Sequence, residues 1–367
     1  MTAADDEKFM TRALELSRRH TGLTGTNPSV GCVIVKDGEI VGEAVTALGG
    51  RPHAEAQALA IAGDKARGAT VYVTLEPCSH YGKTPPCANA LVEAGVARVV
   101  TCLADPDPRV SGRGLAILEE GGIIVETGLM EKEGRRALAG YLMRQTKGRP
   151  YVTLKLAVSA DGMLGRPGEE VAITGLLAKD EVHRLRAQAD AILVGIGTVL
   201  ADDPELTVRI PGMEDRSPTR IVLDRRLVLP LTSNLVRTAN DVPVIAVAGE
   251  PPLFSDDPDQ AVIERREALR AAGVETLQCD PHDLELLLGA LSTRGISSIL
   301  VEGGAAVAKS FIDAGLVDRI LLFQGAGMIG GNGLESPLVP SDIPDGFELV
   351  GEAAYGPDRA FEYERVS

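Results

Sequence analysis

Two α/β domains, the first a mostly parallel sheet covered by helices, are what this sequence predicts. Three observations lead there. The chain has 367 residues, more than one hydrophobic core ordinarily serves. Over roughly the first 147 residues, apolar strand-like runs alternate with helix-like patterns, the alternation expected of a parallel sheet with helical cover. The pattern pauses at the short polar segment TKGRP (146–150) and then begins afresh. A linker is therefore expected there, with domains at 1–147 and 148–367.

The elements follow in order. Residues 5–20 set Phe9, Ala13, Leu14 and Leu16 on one helical face. SVGCVIV (29–35) reads as a buried strand, and KDGE (36–39) as a hairpin turn. HAEAQALAIAG (53–63) is a helix stopped by Gly63, and ATVYVTL (69–75) a strand. PPCANALVEAG (85–95) has Pro at its start and Gly at its end, the usual asymmetry of a helix. ARVVTCLA (97–104) is a strand, with a helix near 114–120. Beyond the linker, strands are expected at 151–159, 189–198, 219–224, 242–249, 297–304 and 318–325, with helices HRLRAQ, DLELLLGALSTRG and AAVAKSFIDAGL between them. The Pro- and Asp-rich stretch 250–259 reads as a surface loop.

Composition narrows the partners. A net charge of −15 disfavours a phosphate-backbone binder, and 3% aromatics with no Trp leaves little for stacking on nucleic acid. No nucleic acid is expected as a partner. Five cysteines, an acidic N-terminus and no apolar run near ~20 residues suggest a reducing, cytoplasmic setting without a membrane partner.

The chemistry concentrates in two constellations. His53-Ala54-Glu55 opens a helix, Cys78 follows a strand, and Cys87 falls in the first turn of the next helix. One imidazole and two thiolates make a three-ligand zinc site with a vacant fourth position, the catalytic arrangement. Glu55 is free to move a proton between the activated water and a leaving amine. H-x-E followed by P-C is the signature of zinc nucleobase deaminases. The spacing departs from it, with eight residues between the cysteines instead of two. His80 is a rival ligand in that loop. Cys78 and Cys87 as packed core thiols, like Cys32 and Cys102, and a closed structural zinc are the competing accounts. In the second domain, Gly325–Gly330 has the form GxGxxG but no convincing helix follows, so it is rejected as a dinucleotide fingerprint. Gly303-Gly304 before AAVAKSF is a better phosphate site, unless it is only a tight turn. Lys155 alternates with Leu154 and Leu156, which a solvated strand face would also explain.

NPSVGCVIVKDGEIVGE, HAEAQAL, TLEPCSHYGKTPPC, DPDPRVSGRG, LKLAVSADG, LRAQADAILVGIGTVLADDPELTVR and VEGG together resemble the bifunctional deaminase/reductase of riboflavin biosynthesis over nearly the whole chain. The resemblance implies a cytidine-deaminase-like three-layer α/β/α domain followed by a dihydrofolate-reductase-like α/β domain. It implies zinc on His53, Cys78 and Cys87, Glu55 as proton shuttle, and a phosphorylated diaminopyrimidinone as substrate. Asn27 becomes a base-edge contact, or else a turn residue before Pro28. Lys83, Arg109 and Arg113 become candidates for the substrate phosphate, each with solvated charge as its alternative. For the reductase it implies NADPH. Lys155, Asp202 and Glu302 then stand around the reacting sugar. Glu170, Arg186, Leu206, Arg209 and Glu302 contact substrate, and Ala157, Ala172, Thr198, Asp202, Arg225, Gly304, Ala305 and Ala306 contact cofactor. Where the family often reads GES-x-W-IT, this chain reads GEEVAIT (168–174). Glu170 thus replaces a Ser and Ala172 a Trp. Arg225 replaces a small polar residue and suits a 2′-phosphate. Family members assemble as homo-oligomers, so a dimer or tetramer is expected. A single-activity nucleobase or nucleic-acid deaminase with a non-catalytic appendage is the alternative.

Overall fold

The computed structural model describes residues 2–81, 85–169, 171–249 and 260–366. Lys83, Glu170 and the expected loop at 250–259 lie outside the described residues. The chain divides into two compact units, Met1–Gly148 and Arg149–Ser367. Among the described residues, no helix is long and apolar enough to cross a membrane.

In the first unit, α1 (Ala3–Ser17) starts at a capping box, in which Thr2 and Asp5 bond each other's backbone N–H. It buries Phe9, Met10, Ala13, Leu14 and Leu16, and its last expected turn tightens to a 3₁₀ turn over Arg18–His20. The strands β1 (Gly31–Lys36) and β2 (Glu39–Val45) are joined at Asp37-Gly38, both with positive φ, as a two-residue hairpin requires. There follow α2 (Ala54–Ala62), β3 (Thr70–Val73), α3 (Cys87–Ala94), β4 (Arg98–Thr101), α4 (Arg113–Glu120), β5 (Ile124–Thr127), α5 (Glu131–Ala137) and α6 (Ala139–Lys147). The sheet order is β2-β1-β3-β4-β5.

This sheet is less parallel than expected. Strand β1 runs antiparallel to both β2 and β3, and only β3-β4-β5 are parallel. The hairpin reverses the chain, and the α2 crossover then passes over β1 to lay β3 on its far side. The approach of helices to strands is close. A Cβ on Gly31 would lie 1.9 Å from Ala13 O of α1, and one on Gly42 would lie 2.4 Å from Ala58 O of α2.

The second unit contains β6 (Tyr151–Val158), β7 (Met163–Gly165), α7 (Leu176–Ala187), β8 (Ala191–Gly195), α8 (Ile196–Asp202), β9 (Thr219–Leu223), α9 (Asn234–Arg237) and β10 (Val244–Ala248). After these come α10 (Gln260–Ala271), β11 (Glu275–Gln278), α11 (Leu284–Thr293), β12 (Ser298–Val301), α12 (Ala305–Asp313), β13 (Arg319–Gln324), β14 (Leu334–Glu335), β15 (Phe347–Tyr355) and β16 (Asp358–Arg365). Nine strands form one sheet in the order β11-β10-β9-β8-β12-β6-β13-β16-β15. It is parallel except for its β13-β16-β15 edge. Alternate residues of β8 feed two cores. Ala191 and Leu193 join residues of α11 and α12, while Ile192 and Val194 join residues of α9 and α10. Helices therefore cover both faces.

The run 189–198, expected as one strand, divides at Gly195, beyond which Ile196–Asp202 is helical. Gly195 stands close against α12, where a Cβ would lie 2.8 Å from Val307 Cγ2.

Candidate active sites

The first site gathers at the ends of three elements. His53 is the N-cap of α2, Cys87 is the first residue of α3, and Cys78 follows β3. His53 Nδ1 lies 3.6 Å from Cys78 Sγ and 3.5 Å from Cys87 Sγ. One donor atom from each residue falls within 4.8 Å of the others, a spacing that fits one shared metal ion. The Cys87 backbone N–H donates to Cys78 Sγ at 3.3 Å. Cys78 is drawn down to about 4 by the Cys87 thiol, against burial, and then by His53 and that backbone N–H. Cys87 is pushed up because it keeps its proton against the Cys78 sulfur and is buried. Neither thiol is spent on core packing, so the packing account fails. Cys32 and Cys102 are buried in the core as expected.

Glu55 sits in the first turn of α2 and is 4% exposed. Burial raises its pKa, with the His53 charge partly opposing. His53, Glu55 and Cys78 open onto a cavity of about 220 Å³, which Asn27, His80, Arg109 and Arg144 also line. His80 stands outside the three-donor group among the described residues, and its buried Nδ1 has no partner.

Here Glu76 escaped the sequence reading. Glu76, two positions before Cys78, is 3% exposed. Its carboxylate accepts backbone N–H bonds from Asp105 (3.0 Å), Gly112 (3.0 Å), Gly114 (2.9 Å) and Leu115 (3.4 Å). It thereby ties the ligand loop to the segment DPDPRVSGRG. A Cβ on Gly114 would lie 2.0 Å from Pro77 O, so the two segments touch backbone to backbone. Within that segment Arg109 is engaged by Asp107 through Nε at 3.0 Å and Nη2 at 2.5 Å, with its side chain 70% exposed. Arg113 begins α4 and does not line the cavity.

The second site lies where β6 and β12 run side by side. Leu154 pairs with Val301, so the next residues, Lys155 and Glu302, stand together. Lys155 Nζ is 4.0 Å from Glu302 Oε2, and the two side chains are 13% and 9% exposed. A solvated face is therefore excluded for Lys155. Arg186 of α7 clasps Glu302 through Nε at 2.7 Å and Nη2 at 2.9 Å. Burial would raise the Glu302 pKa, but Arg186 and then Lys155 hold it below its ordinary value. Burial lowers that of Lys155. His183, also missed, places Nδ1 3.1 Å from Thr207 O and 3.3 Å from Arg209 N. Its signal was its place three residues before Arg186 on one helical face.

The remaining expected residues frame this site unevenly. Leu206 is buried with φ 56. Arg209 is ion-paired to Glu205 at 2.9 Å and half exposed. Asp202 ends α8 and is exposed, and Ala172 is exposed in the segment before α7. Ala157 shares the half-buried face of β6 with Lys155. Gly304 caps α12, whose first turn holds Ala305 and Ala306, and a Cβ there would lie 3.5 Å from Thr198 Oγ1. Arg225 is exposed just beyond β9, where its carbonyl accepts from Gly249 N at 3.1 Å.

Both units match known families. Residues 3–103 match the cytidine and deoxycytidylate deaminase zinc-binding region, and residues 150–359 match the RibD C-terminal domain. The riboflavin biosynthesis protein RibD of Escherichia coli strain K12 is 43% identical over 341 residues, covering 89% of each chain. The chain belongs to the RibD family. RibD of Aquifex aeolicus strain VF5 is 40% identical over 326 residues, covering 89% of this chain and 88% of its own. Acinetobacter baumannii RibD superimposes with TM-score 0.86 at 36% identity over the whole of both chains. A Thermotoga maritima structure, described as a diaminohydroxyphosphoribosylaminopyrimidine deaminase/5-amino-6-(5-phosphoribosylamino)uracil reductase, gives 0.84 at 33% identity over 99% of each.

RibD membership makes this an enzyme of riboflavin biosynthesis with a deaminase and a reductase domain, using zinc and NADPH. A single-activity deaminase with an inert appendage is set aside, because the appended unit itself matches the RibD reductase domain. The donor set His53, Cys78 and Cys87 fits zinc in type and spacing. The capped start of α12 beside Thr198 suits a nucleotide phosphate.

Proposed function

We propose that the first unit removes an amine from a diaminopyrimidinone bearing a ribosylamino 5-phosphate, and that the second reduces the product's ribosyl group to ribityl phosphate. His53 Nδ1 and the two cysteine sulfurs would hold zinc, which lowers the pKa of bound water toward about 7. Glu55 would accept a proton from the attacking water and deliver it to the departing amine. Burial raises its proton affinity, which suits a group that must accept and release one. Asn27, on the same cavity wall, orients the base edge. The family resemblance offers Lys83, Arg109 and Arg113 for the substrate's charged end, but Arg109 is engaged by Asp107 and Arg113 does not line the cavity.

In the second unit, NADPH when bound would supply hydride. Lys155 and Glu302 would stand beside the reacting sugar, and Arg186 keeps Glu302 ionised and fixed. Lys155 stabilises the opening ring, and Asp202 orients the sugar. Leu206 and Arg209 would complete the substrate wall, and the family resemblance assigns Glu170 to substrate as well. Ala157, Ala172, Thr198, Arg225 and Gly304–Ala306 line the cofactor cleft. The family resemblance supports a cytoplasmic homo-oligomer acting on this small pyrimidine.

The observation that carries the reading is the meeting of three metal donors within 4.8 Å beside a carboxylate that is 4% exposed. Glu55→Gln should keep its zinc and lose ammonia release by about 10²–10⁴-fold, with NADPH oxidation retained when the deaminated product is supplied. Undiminished ammonia release would overturn the assignment.

A further inference from the structure

The cavity over His53, Glu55 and Cys78 has a wall that the deaminase core does not supply. The deaminase family match ends at residue 103. Tyr141, Arg144 and Gln145 reach the cavity from α6, about 40 residues further on. These side chains differ in what occupies them. Tyr141 OH donates to Asp105 at 2.9 Å. Arg144 Nη2 donates to the carbonyl of Thr26, the residue before Asn27. Arg144 Nε, however, is buried and has no hydrogen-bond partner among the described residues. Within the same cavity His80 Nδ1 is a second buried nitrogen without one among them.

The charges around the cavity sharpen the contrast. Arg109 is neutralised by Asp107 and 70% exposed. Glu76 spends both carboxylate oxygens on backbone N–H groups. Among the described residues, no carboxylate pairs with Arg144. A half-buried guanidinium lacking an anion is costly, and its planar fork matches phosphate oxygens. Its anchored Nη2 fixes the fork beside Asn27, so the cation is held in place before any ligand arrives.

We propose that Arg144 is the specificity-determining contact that selects a phosphate-bearing substrate in the deaminase cavity. This rests on the deaminase reading above. It moves the phosphate contact from Lys83, Arg109 and Arg113, which the family resemblance offered, to a helix that follows the deaminase core. Gln145 and His80 flank the same anion.

The test uses the full zinc-loaded chain and two probes, the phosphorylated diaminopyrimidinone and its phosphatase-treated form. Ammonia release gives kcat/KM for each. The ratio of phosphorylated to dephosphorylated kcat/KM should fall roughly 10- to 100-fold in Arg144→Gln, mainly through KM. Arg144→Lys keeps a point charge without the fork and should recover part of the ratio. Zinc content should be unchanged in both variants. An unchanged ratio in Arg144→Gln, or an equal loss on both probes, would overturn the proposal. If Arg144→Gln does not accumulate as folded protein, a full wild-type ratio in Arg144→Lys overturns it, and an intermediate ratio supports it. Should the zinc-loaded wild type release ammonia from neither probe, the deaminase reading itself fails and this inference falls with it.

Discussion

Glu55 and Glu302 are both buried carboxylates at the ends of α/β elements, yet their surroundings push them in opposite directions. Glu55 has one imidazole nearby, and burial dominates, so its proton affinity rises. Glu302 is gripped by Arg186 at 2.7 and 2.9 Å with Lys155 at 4.0 Å. There the two cations outweigh burial, and the carboxylate stays ionised. Burial creates the pressure, and the neighbour decides its sign. The proposed roles follow this difference: a proton carrier at Glu55, and a fixed negative charge at Glu302.

The largest effect that can break this contrast is on the reductase. Lys155→Met should reduce NADPH oxidation by about 10²–10⁴-fold while sparing ammonia release. Equal loss of both, measured on the same preparation, would dissolve the distinction between the sites. Next comes Arg186→Leu, which strands a buried charge and should cost about 3–5 kcal/mol in urea unfolding of the second unit. The pH dependence has a definite sign. The folded pKa of Glu302 lies below its unfolded one, so its stabilisation is present above the ordinary carboxylate range. It is lost as pH falls through the lowered value. Arg186→Leu should flatten that acid limb; an unaltered limb would contradict the pairing.

A smaller effect is expected at Glu76. Glu76→Gln keeps the shape but offers an amide N–H to backbone donors, which should cost about 1–3 kcal/mol and raise KM for ammonia release. The smallest is Arg109→Ala. Its exposed pair with Asp107 should be worth under about 1 kcal/mol by thermal unfolding, and a larger loss would mean the segment depends on it.

The two regions also differ in how far their sequences could be read. The metal donors were legible because HAE, EPC and TPPC each fall at an element end, where turns bring ligands to one edge. Glu76 was not, because its partners are backbone amides 29 to 39 residues away, and no side-chain type announces them. The parallel strands of the second sheet, buried on both faces, read as unbroken apolar runs. Its antiparallel β15-β16 edge did not, because FELVGEAAY and DRAFEYER carry charge on their exposed faces. In the first sheet Asp37-Gly38 announced the hairpin, but nothing local revealed that β3 would cross to the far side of β1. Arg186 was read as a substrate contact, and its clasp on Glu302 depends on a pairing 116 residues apart.

The most direct measurement is zinc per chain, by elemental analysis, in the wild type and in Cys87→Ala, with ammonia release and NADPH oxidation followed on the same samples. One zinc per chain in the wild type is expected. The variant should lose both the metal and ammonia release while NADPH oxidation persists on supplied deaminated product. Full zinc occupancy without Cys87, or undisturbed ammonia release from a metal-free chain, would contradict the three-donor centre.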